Sequence, residues 1–590
     1  MFNWLKNTFS SSRKSISRLA DGKTSLDSSS SGLPSAQSLT YKIRGDECLN
    51  NDDWNGAAKF YLQAVITDAQ YAEAHINLGF VLAEQRQFET AKYHLQQALT
   101  LNPQLFDARY VLASICEQAG EIDNAIDHLK IAVVMKPDFA EAFSFLARLY
   151  RDQGNANESV NCYRKALEID PTRHATHTGF LFSLQYSEIC NQAEIFAEHL
   201  KFSEKFETPL KHSWHDHPNE LNPNRRLKVG YVSSDFRAHS VALFMLPIFE
   251  NHDKNHFEIF CYYSDSFRDG ITQQISLLAD HFVFCESMSD GHLADRIRSD
   301  GIDVLVDLNG HTGRTRLLTF ARKPAPIQAS YLGYVDTTGL SSMDYRLTNI
   351  DADPPGNERF YSEKLYRFTD GLWWCYRPAA NLPNVTPLPA MSNGFVTFVS
   401  ANNIAKISQA NIAAWANILH ALPNSRLMLM AVNGVPAQHA MEEKFSTLGV
   451  DGSRLVFHGR MPLEKYRELL IQADIALDTF PFNGGTTSCE TLSLGLPLIS
   501  MYGASFVSRM GYALLKDLNL SDLAVVDTDE YVNVAVELAK DIDRLSVLRQ
   551  GMRARIAAST ISDEIKFTRN LETAYRGMWQ AYIEERSDEH

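Results

Sequence analysis

Two hydrophobic rhythms divide the chain. Between residues 38 and 173, small and apolar residues recur at helical spacing, and the pattern repeats every 34 positions: Ala74, Ala108 and Ala142; Ala57, Ala91 and Ala125; Ala64, Ala98, Ala132 and Ala166; Pro103, Pro137 and Pro171. Large residues keep the same step at Tyr61, Leu95, Leu129 and Tyr163. Paired antiparallel helices need small side chains where they cross closely, and a proline ends the second helix because it cannot continue one. From Leu227 the rhythm changes to short β-branched and aromatic runs separated by helical stretches. The predicted strands are 227–233, 257–263, 302–308 and 327–333, then 394–400, 426–432, 454–459, 475–480, 496–501 and 523–527. Continuous apolar runs alternating with helices predict parallel sheets covered on both faces. Two such series predict two Rossmann-like domains, whose ligands bind beyond the carboxyl ends of the strands.

The 34-residue period resembles the tetratricopeptide family, with copies at 38–71, 72–105, 106–139 and 140–173, the first degenerate because Ala69 stands where the others have proline. Such arrays offer a face to a protein partner. In some arrays of this kind an Asn recurs on the inner helix; here Asn77 fits, but the equivalent places hold Val111 and Phe145. The predicted organisation is a disordered basic tail over 1–37, four repeats over 38–173, a helical extension and linker over 174–226, Rossmann-like domains over 227–390 and 391–565, and a closing helix over 566–590.

Composition narrows the function classes. The chain has 590 residues and a net charge of −15, which argues against a general nucleic-acid partner. The tail departs from this balance, with Lys6, Arg13, Lys14, Arg18 and Lys23 against Asp21 and Asp27. With Phe2, Trp4, Leu5 and Phe9 it has the makings of a short basic helix on a membrane surface; the plainer reading is a solvated tail. No apolar run is long enough to span a membrane. The eight cysteines contain no Cys-x-x-Cys pair, which predicts reduced thiols and a cytoplasmic setting. No His, Asp or Glu cluster has metal-ligand spacing, and Asp527-Thr-Asp529 reads as a helix start.

The most informative segment is Asp478–Glu490, DTFPFNGGTTSCE. It reads as strand, glycine turn and helix, with Thr486 and Thr487 at a helix N-terminus that suits a diphosphate, and Glu490 one turn later, placed to accept hydrogen bonds from ribose hydroxyls. A tight turn with a capped helix is the bland alternative.

With VGYVSSDFRAHS (229–240), ADRIRSDGIDVLVDLNGHT (294–312), PAPIQASYLGYVDTTGLSSMDYRLT (324–348), NNIAKIS (402–408) and ADIALDTFPFNGGTTSCETLSLGLP (473–497), the chain resembles the protein O-GlcNAc transferase and SPINDLY family of glycosyltransferases. The resemblance implies a tetratricopeptide α-solenoid followed by two Rossmann-like α/β domains in the GT-B arrangement. It implies an inverting transfer of one sugar from a nucleotide donor to Ser or Thr hydroxyls of proteins held by the repeats, with no cofactor and no required metal. UDP-GlcNAc is the expected donor; GDP-fucose, a UDP-hexose, and a non-catalytic scaffold are the alternatives.

By the same resemblance His239 matches an active-site histidine and Lys406 an essential lysine whose ammonium offsets charge growing on the leaving diphosphate. Asn403, Tyr466, Asn483, Gly484, Gly485, Thr486, Thr487 and Glu490 are the expected donor-binding residues. His311, Gly333, Thr337 and Thr338 are expected in the sugar and acceptor pocket. The chain departs from the family pattern at Gly485, where the human-type enzymes have His, at Tyr466, where most relatives have a His near the nucleotide base, at Leu463, which replaces a donor-binding lysine of the human-type enzymes, and at Val335-Asp336 in the sugar-side loop.

Overall fold

The computed structural model describes residues 34–588. The tail's charges and aromatic residues lie outside them, as does any helix on a membrane surface. The chain divides into two compact units, one comprising residues up to Leu149 with Lys165–Asp170, the other Tyr150–Arg164 with everything from Pro171 onward.

In the first unit, helix pairs follow the 34-residue step: Ala36–Asn50 with Trp54–Thr67, Ala72–Glu84 with Phe88–Leu101, and Phe106–Gln118 with Ile122–Met135. The repeated alanines Ala57, Ala74, Ala91, Ala98, Ala108, Ala125 and Ala132 are fully buried, as their role at helix crossings requires. A Cβ on Gly79 would lie 2.7 Å from Leu95 Cγ. Asn77 is buried and donates to Asp46 at 3.3 Å, so its amide serves the repeat core.

The second unit holds two parallel sheets. The first comprises β1 (Leu227–Ser233), β2 (Phe257–Tyr263), β3 (His281–Phe284), β4 (Val304–Asp307), β5 (Ile327–Ser330), β6 (Tyr345–Asn349) and β7 (Lys364–Phe368), in the order β3-β2-β1-β4-β5-β6-β7. The second comprises β8 (Thr397–Ser400), β9 (Arg426–Leu429), β10 (Leu455–Phe457), β11 (Ile475–Leu477), β12 (Leu498–Met501) and β13 (Ala524–Val525), in the order β10-β9-β8-β11-β12-β13. Each order reverses once, between β1 and β4 and between β8 and β11, which defines the two places where such sheets bind ligands.

Every strand expected from the apolar runs is present, and β3, β6 and β7 are additional. Their sequences hide them. β6 carries Arg346, Thr348 and Asn349 buried, with Arg346 donating to the Asp336 carbonyl at 2.7 Å and Thr348 to Asp353 at 2.7 Å. β3 and β7 are half-exposed edges. Another helix pair, His174–Leu184 and Gln192–Phe202, fills the expected extension. The closing helix Glu564–Asp588 returns to the first sheet's side, where Glu572 binds His252 at 3.0 Å and Tyr575 meets Tyr231 at 3.2 Å. Among the described residues all eight cysteines are free thiols, and no helix is long and apolar enough to cross a membrane.

Candidate active site

Both sheet reversals carry loops rich in polar side chains that are already tied down. After β1, the Ser234 amide donates to Asn309 Oδ1 at 2.8 Å, and Asn309 Nδ2 donates to Ser234 Oγ at 2.8 Å and to Asp235 Oδ2 at 3.0 Å. Asn309 follows β4, so it locks the two strand ends together across the switch point. The loop ends at His239, the N-cap of helix Ser240–Asn251, whose Nδ1 accepts the Val241 amide at 3.3 Å. An imidazole that accepts at Nδ1 in its neutral form carries its proton on Nε2. Burial of the ring lowers the His239 pKa, Asp235 opposes this from 3.7 Å, and Arg237 reinforces it.

The second reversal is organised by Asp478, at the end of β11. Its Oδ1 accepts the Gly484 amide at 2.7 Å, the Thr479 amide at 2.9 Å and Asn402 Nδ2 at 3.1 Å, while Oδ2 accepts Ser500 Oγ at 2.8 Å. Burial raises its pKa to about 6 against these bonds and against Lys406. Asn402, after β8, accepts Thr487 Oγ1 at 2.8 Å and so joins that strand end to the glycine turn. Lys406 closes the short helix Ile404–Lys406, and its ammonium donates to the Asn483 carbonyl at 2.7 Å. Burial brings the Lys406 pKa from 10.5 down to about 8, with Asp478 opposing.

Helix Thr486–Ser493 has Gly485 as its N-cap and no side-chain cap, so its leading N–H groups are left for an anion. A Cβ on Gly484 would fall 2.3 Å from Ser488 Oγ and 2.8 Å from Thr487 Oγ1, whereas one on Gly485 would meet nothing within 4 Å. Gly484 therefore serves the turn's own packing. Glu490 is 8 % exposed and already engaged, accepting from Arg467 and from the Tyr376 hydroxyl at 3.1 Å.

A cavity of about 970 Å³ brings His239, Asn403, Tyr466, Thr486, Thr487 and Glu490 onto one wall system, with Arg237, Tyr376, Leu463 and Arg467 beside them. Arg237 and His239 also line an adjoining hollow of about 660 Å³ with Asp235, Asp265 and Gly333.

Several expected positions lie elsewhere. Asn483 is fully buried, donating to the Thr479 and Met501 carbonyls at 2.9 and 3.1 Å, so it shapes the turn instead of lining the cavity. His311 is fully buried beneath the helical extension, with its ring 4.6 Å from that of Phe202 and its Nε2 2.8 Å from the Thr338 carbonyl. Thr337 and Thr338 are buried on Glu363, to which their hydroxyls donate at 2.5 and 2.6 Å. In this structure these three side chains are packed away from the cavity, because residues 174–202 cover the strand ends that a sequence reading leaves open. Asp235, Asn309, Asn402, Asp478, Tyr376 and Arg467 were not anticipated; each acts on a partner over 70 residues away or beside an expected residue, and only the strand-end position of the first four signals them. Among the described residues no group of three or more His, Cys, Asp or Glu is arranged to hold a metal ion.

The family model described as glycosyl transferase family 41 matches residues 166–373 and 388–571. The chain belongs to that family. Tetratricopeptide repeat models match residues 82–149 and 140–173. The chain is 36% identical over 440 residues to the probable UDP-N-acetylglucosamine–peptide N-acetylglucosaminyltransferase SPINDLY of Oryza sativa subsp. japonica, covering 72% of this chain and 46% of that one. It is 31% identical over 379 residues to the probable enzyme of the same description named SEC in Arabidopsis thaliana, covering 62% and 38%. The chain thus spans less than half the length of these curated relatives. A solved structure of Thermobaculum terrenum O-GlcNAc transferase, carrying a lysine-to-methionine mutation, aligns with a TM-score of 0.81 at 30% identity, covering 88% of this chain and 99% of that one. The family 41 chain thus has tetratricopeptide helices followed by two parallel-sheet domains of GT-B type.

Proposed function

We propose that this family 41 chain is an inverting protein glycosyltransferase that moves GlcNAc from UDP-GlcNAc to Ser or Thr hydroxyls of proteins held by its repeats. The observation that carries the reading is the meeting, in one cavity, of His239 from the first sheet's reversal with the uncapped N-terminus at Thr486 and Thr487 from the second. The relatives described as UDP-N-acetylglucosamine–peptide N-acetylglucosaminyltransferases supply the donor in this proposal.

In this reading the diphosphate rests on the amides and hydroxyls of Thr486 and Thr487, with the Lys406 ammonium turning from the Asn483 carbonyl to the leaving phosphate. Such a preorganised charge is commonly worth about 10²–10³ in rate. Glu490 accepts from ribose hydroxyls with its remaining lone pairs, in an orientation fixed by Arg467. Tyr466 and Leu463 offer an aromatic and an apolar wall to the base. His239, with its proton on Nε2, donates to the acceptor oxygen and orients it; the acceptor proton leaves to a donor phosphate oxygen. No metal or cofactor takes part.

Transfer of labelled sugar into protein acceptors by wild type and Lys406→Ala tests the mechanism, and equal incorporation by both would overturn it. A thermal-shift panel of UDP- and GDP-sugars tests the donor. A donor at 100 times its Kd adds about 2.7 kcal/mol to stability. Stabilisation by GDP-fucose without UDP-GlcNAc would replace the proposed donor, and nucleotide-sugar binding with no transfer to any protein would favour a scaffold.

A further inference from the structure

Lys406 is held from behind as well as in front. Its ammonium lies over the face of Phe482, 4.0 Å from the ring centroid, while the neighbouring Asn483 carbonyl accepts its hydrogen bond at 2.7 Å. Phe482 is 5 % exposed, and its carbonyl accepts Thr479 Oγ1 at 2.7 Å. The ring also packs on Tyr186, with centroids 4.8 Å apart and planes inclined by 31°. Tyr186 stands just beyond helix His174–Leu184, edge-on to Phe182 at 5.2 Å, and the Arg151 guanidinium covers Phe182 at 5.1 Å.

A second contact reaches the same lysine from the last repeat. Gly154 occupies the turn between helices Ala140–Asp152 and Ala156–Ile169, with a left-handed φ of +79°. A Cβ there would sit 2.7 Å from the carbonyl oxygen of Ile404, the first residue of the short helix that ends at Lys406. Both contacts lie within the compact unit that contains the two sheets. The last repeat's turn therefore touches the lysine's own backbone segment, and the helix pair after it reaches the lysine through two rings.

We propose that Phe482 and Tyr186 are positioning residues for Lys406 and that, with Gly154 against Ile404, they form the route by which the last repeat governs where the ammonium points. A lysine stem has four rotatable bonds and no planar fork to fix its direction, so its aim depends on what surrounds it. A ring face under the ammonium supplies attraction without a hydrogen-bond acceptor that would compete with the diphosphate. Misplacement by about 1 Å can cost about 10²-fold in rate. The catalytic meaning of this route rests on the proposed transferase activity; the positioning itself does not.

The test uses the full chain and two readouts. Acetylation of Lys406 by acetic anhydride, followed by peptide mass spectrometry across pH, reports the amine directly without any turnover. Phe482→Leu keeps apolar bulk but removes the ring face, and its labelling midpoint is expected to fall by about one pH unit. Phe482→Tyr, which keeps the face, is expected to restore the wild-type midpoint. Tyr186→Leu is expected to lower the midpoint in the same direction and to cut kcat by about tenfold or more with a smaller change in donor KM, whereas Tyr186→Phe matches wild type. A merely structural role would lower melting temperatures in both leucine variants and leave the Lys406 midpoint where it is; that result overturns the proposal. Should Phe482→Leu fail to fold, the midpoint in Tyr186→Leu decides alone. Absence of transfer by wild type with every donor would remove the transferase reading, while the labelling result would still decide the positioning.

Discussion

Raising the pH is expected to silence the protein through Lys406. Burial brings its ammonium from an ordinary 10.5 to about 8. If the charged form meets the donor, kcat/KM follows the charged fraction: about nine-tenths at pH 7, half at pH 8 and one-tenth at pH 9. Bound diphosphate places negative charge beside the ammonium and raises its pKa, so the alkaline limb in kcat lies above the limb in kcat/KM. Lys406→Met removes the charge and is expected to lower kcat by about 10²–10³, or about 2.7–4 kcal/mol of transition-state stabilisation. Stability moves the other way. A lysine whose pKa is lower in the fold than in the unfolded chain burdens the fold at neutral pH, and the burden lifts as pH rises from about 8 through 10.5. The gap sets a ceiling of about 3 kcal/mol, reduced by the hydrogen bond to Asn483 and the ring of Phe482, so a net gain of about 1–2 kcal/mol is expected for Lys406→Met at pH 7. Initial rates of labelled-sugar transfer between pH 6 and 9.5, with urea unfolding of both proteins, measure all of this. A flat kcat/KM profile between pH 7 and 9, or a Lys406→Met protein that is both active and less stable, would refute the reasoning.

Three further outcomes follow from the packing. Glu490→Ala leaves the Arg467 guanidinium, 6 % exposed, without its carboxylate, and urea unfolding is expected to show a loss of about 3–5 kcal/mol along with weaker donor binding. Gly79→Ala forces a methyl to within 2.7 Å of Leu95 Cγ and 3.2 Å of the Ala91 carbonyl oxygen, and thermal unfolding followed by circular dichroism is expected to show a loss of about 1–3 kcal/mol confined to the repeat unit. Acidification is expected to loosen the closing helix: burial lowers the His252 pKa below 6.5 despite Glu572, and the Glu572 pKa is lowered from 4.5, so both groups lose stability for the fold as pH falls, His252 from about 6.5 and Glu572 below 4.5. Hydrogen exchange on Glu564–Asp588 at pH 7 and pH 5 measures the change.

What the sequence made legible is what a local rule can reach. The 34-residue period depends on close helix crossings and shows wherever alanine is forced, as at Ala91 and Ala98. The apolar strands showed because both faces of a parallel strand are buried, while β6 stayed hidden because its buried positions include the polar side chains Arg346, Thr348 and Asn349, satisfied by adjacent loop groups such as the Asp336 carbonyl and Asp353, so the run carries no apolar signal. The helix start at Thr486 showed because glycine and threonine at a strand-to-helix turn are a local signal.

The same distinction separates the candidate site from its frame. A residue just after a strand at a sheet reversal faces the ligand space only if nothing else is packed there. At β1, β8 and β11 that space is open, and His239, Asn403, Thr486 and Thr487 line the cavity. At β4 and β5 the helical extension occupies it, so His311 and Thr338 bond to each other and to buried neighbours. Strand-end position predicts candidates; the covering element decides among them. That element arrives with the last repeat, beside Gly154 and Tyr186, so the contacts that exclude His311 from the cavity come from the same segment that supports Lys406. An extension that only capped the sheet would need to bury His311 and Tyr334. This one also sends the Tyr186 ring to Phe482, which places the extension that follows the last repeat within two side chains of the ammonium.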